Sequence, residues 1–296
     1  MVTVSYGKWN GTTFAAKAAS KYGNCNAVKV TIAYNVPLVF AQVLGLANKT
    51  ASKTSIAEEV VSVDTPYVAA TGNPWLAGEP TGTQGSQPDP NFTTVHGSSD
   101  HQYKYDLAGP YGKNTNGATA TASTYNTYET YASPVQIAFT VTPGSRVTIT
   151  NTSGSTSYDY QTPAFSDATG NTGGTGNTKN AAANGVSEHG IADAYMPLGS
   201  MNAVFLSNSL PDSIATVPPP LDFSSQAARN YIALEPKLQQ VFYTGTGTTS
   251  TGKQQSIMVP ANATRLFLGT MDGWEWDNNI GGYNTTVTQT TITTVE

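Results

Sequence analysis

The chain has 296 residues, a length typical of two domains, and only 11% of them are charged, against about 25% in ordinary soluble domains. Thr, Ser, Asn and Gly replace the missing charge, as in many exported β-rich proteins. The net charge is −5 and Lys and Arg do not cluster. We therefore exclude nucleic acid as a partner, because such a surface repels phosphate groups.

Residues 1–64 are predicted to form a small α+β module. Alternating β-branched residues at 27–33 predict a strand. Pro37 and Gly45 bracket an apolar segment, which indicates a short amphipathic helix. A second strand is predicted over residues 50–63. The apolar run at 36–46 is shorter than the roughly 20 residues that cross a bilayer.

Residues 65–131 are predicted to be a turn-rich linker or insertion. Residues 73–78 form a compact, turn-like motif. From Glu79 onward the segment is rich in Gly, Asn, Thr, Ser and Tyr and has few apolar residues to bury.

Residues 132–296 are predicted to form an antiparallel β-sandwich, so the fold class is mainly β. Alternation at 135–141 and 146–150, separated by Pro143–Gly144, predicts a β-hairpin. Turn residues separate several further short strands, as in sandwiches. These strands are predicted at 203–206, 240–243, 256–259, 264–268 and 283–288.

The loop at residues 269–282 concentrates oxygen ligands and tryptophans. The oxygen atoms that Ca²⁺ prefers are provided by Asp272, Glu275, Asp277, Asn278 and Asn279. Trp274 and Trp276 offer ring faces of the kind on which sugars stack. The alternative is an acidic hairpin loop with two packed tryptophans.

Residues 133–288 resemble the calcium-dependent galactose-binding lectins typified by PA-IL. Asp272, Asn278, Asn279 and Tyr283 match the end of that fold, although Ile280 replaces a family Ser. Ser157–Tyr158 resembles a Ser–Tyr pair whose carbonyl oxygen helps to hold calcium. The resemblance implies a lectin-like jelly roll.

By this resemblance, Ca²⁺ is the cofactor and two sugar hydroxyls complete its coordination shell. The implied calcium ligands are the backbone of Tyr158, Glu275 and Asn279 and the side chains of Asp272 and Asn278. The implied sugar contacts are Asp272, Trp274, Trp276, Asn278 and His189, the last because Glu188–His189 resembles a Glu–His pair of the lectin pocket.

Residues 4–14, 26–32 and 36–45 resemble the extracytoplasmic part of TadE/TadG-like pilus-associated proteins. Such proteins carry an N-terminal membrane helix, whereas residues 1–10 have neither a basic start nor an apolar stretch. We therefore expect membrane contact only through a segment outside this sequence. The resemblance implies cell-envelope attachment and no chemistry.

Enzyme-like patterns in the chain lack essential residues or context. Residues 247–253 imitate a phosphate-binding loop, but Gln254 stands where Ser or Thr would bind magnesium. Asp272 and Glu275 could be proposed as the carboxylate pair of a glycosidase, but they lie in the loop that is predicted to bind calcium. His96 and His101 are interpreted as solvated. We expect no enzymatic activity.

The first functional hypothesis is a non-catalytic, calcium-dependent carbohydrate-binding surface protein that acts as an adhesin. Its partner would be a galactose-like glycan or a surface polysaccharide, and its location extracellular or at the bacterial cell surface. The rival hypothesis is a structural subunit of a pilus or other filament, with self-association through strand edges and the sandwich as a packing module.

Overall fold

A computed structural model describes residues 1–17, 25–36, 49–80, 133–157, 167–171, 176–180, 183–214, 216–273, 276 and 279–295. The helix predicted at 37–45 and nearly all of the Gly- and Asn-rich stretch before residue 132 lie outside them. The chain divides into two compact units. Unit 1 comprises Met1–Val61 with Thr290–Glu296, and unit 2 comprises Ser62–Gln289.

Unit 1 is an antiparallel sheet. Its strands are β1 (Val2–Trp9), β2 (Phe14–Ala16), β3 (Ala27–Val36) and β4 (Lys49–Asp64), the last of which runs on into unit 2. The order is β4-β3-β1-β2, and the end of the last strand of the chain belongs to the same unit. Both predicted strands are confirmed, since alternating β-branched residues fit a pleated surface.

Unit 2 contains the remaining strands and short helical turns. The strands are β5 (Tyr67–Ala69), β6 (Val135–Gln136), β7 (Arg146–Ser157), β8 (Asn177–Thr178), β9 (Ser187–Glu188), β10 (Ile191–Ala192), β11 (Ala194–Pro197), β12 (Met201–Leu206), β13 (Leu221–Asp222), β14 (Ala233–Leu234), β15 (Val241–Tyr243), β16 (Ser256–Met258), β17 (Arg265–Thr270) and β18 (Ile280–Val295). Two large sheets have the orders β15-β12-β17-β6 and β14-β16-β7-β18, with β5 also beside β18. Two smaller sheets have the orders β13-β11-β8 and β10-β9. The helical turns are 3-10 helices at Pro74–Leu76 and Pro211–Ser213 and the short α-helix α1 at Gln226–Arg229.

One apolar core draws on both large sheets of unit 2. Ile149 and Tyr283 come from the sheet containing β7 and β18, and Phe205 and Leu266 from the sheet containing β12 and β17. Every residue of β12 is buried, so both faces of this strand are covered. The prediction of a mainly β, sandwich-like fold is confirmed, as are the strands predicted after residue 200.

The hairpin predicted around Pro143–Gly144 is wrong. β6 pairs with β17, whereas β7 pairs with β16 and lies beside β18 in the other large sheet. The turn therefore joins two sheets, and Gln289 Oε1 holds it by accepting from Thr142 N at 2.8 Å and Ser145 Oγ at 3.0 Å. Alternation shows which face of a strand is buried but does not identify the neighbouring strand.

The turn-like motif at residues 73–78 packs in the core of unit 2. Asn73 caps the 3-10 helix by accepting from Trp75 N, and Pro74 begins it. Trp75 is fully buried, and its Nε1 donates to Ala192 O at 3.1 Å. Residues 65–131 are predicted to be a linker or insertion, whereas Trp75 and Ala77 of this motif belong to the apolar core.

Candidate functional site

The loop predicted to bind calcium connects β17 to β18. The structure describes Asp272 and Asn279 at its two ends, while Tyr158, Trp274, Glu275 and Asn278 lie outside the described residues. Both described side chains are buried, at 6% exposure each. Asp272 Oδ1 accepts from Gly273 N at 2.5 Å, and Asn279 Nδ2 donates to Ala70 O at 3.2 Å. The loop thus places two oxygen-bearing side chains in a poorly hydrated position.

The amide oxygen of Asn279 has a further property. Asn279 Oδ1 is buried and makes no hydrogen bond within the described part of the chain. A buried acceptor without a partner costs about 1–3 kcal/mol, and a cation would relieve that cost.

Trp276, one of the predicted sugar contacts, packs inside unit 2. Its side chain is buried, its Nε1 donates to Thr270 O at 2.9 Å, and its ring lies 5.7 Å from that of Trp75. This packing in the core leaves no ring face for a sugar and agrees with the alternative of a packed loop tryptophan.

His189 lies at the tip of the hairpin β9–β10. Glu188 pairs with Ile191, and the two intervening residues, His189 and Gly190, have φ values of 46° and 71°. Positive φ at both positions is typical of a type I′ turn, which matches strand twist. The imidazole Nδ1 lies 3.6 Å from Asp212 Oδ2, and Nε2 lies 3.9 Å from Glu188 Oε1.

The structure joins His189 to two carboxylates that sequence reasoning missed. One potential ligand atom each from Glu79, His189 and Asp212 lies within 4.8 Å of the others. Burial, followed by the nearby charge of Asp212, raises the pKa of Glu79, while His189 and Arg265 oppose this. The three residues come from distant segments, so only the Glu188–His189 pair was visible in the sequence.

A buried glutamine holds two of these segments together. Gln239 Nε2 donates to Gly190 O at 2.7 Å and to Pro211 O at 2.9 Å. It therefore joins the turn that carries His189 to the 3-10 helix that carries Asp212. We call this the Gln239 bridge.

Gly78 positions Glu79. Its φ is +73°, and a Cβ there would lie 2.9 Å from Leu206 Cδ1 and 3.0 Å from Arg265 Nη1. The two contacts are with the ends of flexible side chains, which can shift, so it is the positive φ that favours glycine in the turn before Glu79.

Unit 1 has a different candidate surface, an exposed apolar face formed by Val2, Val4, Tyr6, Ile32 and Tyr34. Side chains two apart share a face of a strand, and the register pairs Val2 with Ile32 and Tyr6 with Val28. The exposed fractions are 65% for Val2, 51% for Val4 and 57% for Tyr34. Contiguous exposed apolar side chains mark interaction surfaces.

Residues 1–57 match a family model described as putative Tad-like Flp pilus-assembly. The match covers most of unit 1 and supports the pilus-associated part of the resemblance. The comparisons with curated proteins and with solved structures each give no match. The resemblance to calcium-dependent lectins stays a prediction. Among the described residues, no helix has both the length and the apolar character to cross a membrane.

Proposed function

We propose that this protein is a non-catalytic cell-surface component associated with a Tad-like Flp pilus, and that unit 1 makes the pilus contact. The observation that carries the proposal is the family match over residues 1–57. Those residues include β1, β2, β3 and most of β4, so the similarity follows a structural unit.

The apolar face of unit 1 is the proposed contact surface. Burying one Val side chain against a partner contributes about 1.5–3 kcal/mol, and each 1.4 kcal/mol is about tenfold in affinity. A few such side chains are enough for a specific contact.

A pair of substitutions on one strand tests this contact. Val4→Lys introduces a charge into the apolar face, whereas Thr3→Lys introduces the same charge on the opposite face of β1, also at an exposed position. Tagged full-length chains would be expressed in the source cells, and the fraction that co-sediments with sheared pili would be measured.

We expect Val4→Lys to weaken the apparent affinity for pili about tenfold, and so to lower the pilus-bound fraction, and Thr3→Lys to leave both unchanged. Wild-type protein that never accompanies pili would refute the association. An equal loss in both variants would refute the assignment to this face.

Calcium-dependent carbohydrate binding is the second proposal, and it concerns unit 2. Its support is the buried pair Asp272 and Asn279 at the ends of the β17–β18 loop, with Asn279 Oδ1 lacking a hydrogen bond within the described residues. Ca²⁺ would take oxygen ligands from this loop, and a galactose-like glycan would complete its shell.

Thermal unfolding with EDTA and then with millimolar Ca²⁺ tests the ion, and a glycan array tests the sugar. We expect Ca²⁺ to raise Tm in the wild type but not in Asp272→Ala, which should also lose glycan binding. An unchanged wild-type Tm, or a calcium-loaded protein that binds no glycan, would contradict this second function.

A further inference from the structure

We propose that Glu79, His189 and Asp212 form a binding site for a divalent transition-metal ion of the Zn²⁺ type. This site is distinct from the loop predicted to bind calcium. It combines an imidazole nitrogen with two carboxylates, brought together from three separate segments of unit 2.

The distances are compatible with metal ligation and are longer than a hydrogen bond. His189 Nδ1 and Asp212 Oδ2 are 3.6 Å apart, which is too long for a hydrogen bond. Two ligands bound tetrahedrally to Zn²⁺ at about 2.0–2.2 Å lie about 3.4 Å from each other. The third ligand atom, from Glu79, lies within 4.8 Å of both, so a side-chain rotation closes the set.

One carboxylate oxygen of Glu79 is available to bind a cation. Its Oε1 is buried and makes no hydrogen bond within the described part of the chain. The neighbouring guanidinium of Arg265 already donates to Ser207 O at 2.7 Å and to Ser209 O at 2.9 Å. A bound cation would complete the coordination of Glu79 and offset its repulsion from Asp212.

Glu188 lies on the far side of the His189 ring from Asp212. Its Oε1 is 3.9 Å from Nε2, an ion-pair distance, and its Oε2 accepts from Asn180 Nδ2 at 2.6 Å. If the ring shifted to shorten the Nε2 contact to hydrogen-bond length when the metal binds, this carboxylate would fix the tautomer that ligates through Nδ1. The Gln239 bridge fixes the backbone on which His189 and Asp212 stand.

The ligand set selects the class of ion. Imidazole nitrogen favours Zn²⁺ and related ions, whereas Ca²⁺ favours shells made of oxygen alone. Three protein ligands leave a fourth tetrahedral position open for water or for an oxygen of a bound molecule.

Isothermal titration of the full chain with ZnCl₂, in the presence of excess Ca²⁺, tests the site. Asn–Gly favours the type I′ turn, so His189→Asn removes the imidazole and keeps the hairpin. Glu79→Gln keeps the side-chain shape and removes the charge. The matched control is His96→Asn with His101→Asn, which removes the other histidines of the chain.

We expect the wild type and the control to bind one equivalent of Zn²⁺. We expect His189→Asn and Glu79→Gln to bind it at least about tenfold more weakly, since even loss of a ligand's supporting group costs 10–100-fold. No wild-type binding, full displacement by Ca²⁺, or binding lost in the control but kept in His189→Asn would each overturn the proposal.

Discussion

Replacing Trp75 by Ala tests whether the motif at residues 73–78 stabilises unit 2. The indole is fully buried among apolar residues, and its Nε1 donates to Ala192 O. Large-to-small substitutions of this kind cost about 3–5 kcal/mol, and a lost hydrogen bond adds about 1 kcal/mol. The ring contact with Trp276 adds about 0.5–1.5 kcal/mol. Together these terms predict that the free energy of unfolding of unit 2 falls by about 4.5–7.5 kcal/mol.

Urea denaturation followed by near-ultraviolet and far-ultraviolet circular dichroism measures this change. Trp75→Phe keeps an aromatic ring and loses the donor, so its cost should be about 1–2 kcal/mol. Trp9→Ala, in β1 of unit 1, is the control and should leave the unfolding transition of unit 2 within about 0.5 kcal/mol. A loss below about 1 kcal/mol for Trp75→Ala would refute the inferred role of this motif in the core.

Two further predictions concern a buried carboxylate and a strand edge. The carboxylate of Asp193 accepts hydrogen bonds from Asn180 N, Gly185 N and Ala194 N at 3.2, 3.0 and 2.7 Å. Asp193→Asn should destabilise unit 2 by about 1–3 kcal/mol, because the new amide NH₂ group would face the N–H of Gly185. Burial raises the pKa of Asp193 despite these bonds. The protonated carboxyl is therefore favoured in the folded state. The stability that Asp193 contributes in this form is lost as pH rises through its folded-state pKa. The stability gap between wild type and Asp193→Asn, from urea titrations, should therefore be larger near pH 3 than at pH 7, and a gap that widens toward pH 7 would contradict this sign. Residues Val2–Ser5 pair with β3 on one side, and within the described residues no strand pairs with their other side. Because an unpaired strand edge can pair with another chain, deletion of Met1–Ser5 should abolish any assembly seen by light scattering. A wild-type chain that stays monomeric at high concentration would exclude self-association through this edge.

Local patterns predicted strands well and pairings poorly. The alternation of β-branched residues at 27–33 predicted β3. The short apolar run at 264–268, bounded by turn residues, predicted β17. The same alternation on both sides of Pro143–Gly144 predicted a hairpin, yet the two strands belong to different sheets. Partner choice depends on contacts between distant segments, which periodicity does not contain.

The candidate sites show the same contrast between residues that are close in sequence and residues that only the fold brings together. Asp272 and Asn279 share one loop, so their proximity was visible in the sequence. Glu79 and Asp212 reach His189 only through Gly78, the Gln239 bridge and a two-residue turn. The His–Gly pair between two short β segments was the one local signal of this geometry.

The division of the chain has a consequence for synthesis. Unit 1 is formed by residues on both sides of unit 2, which is inserted between Val61 and Thr290. During translation, the last residues that unit 1 needs leave the ribosome only after the whole of unit 2 has been made. Unit 2 can therefore fold while unit 1 is still incomplete, and a stop codon just before Thr290 would damage the N-terminal unit and spare the larger one.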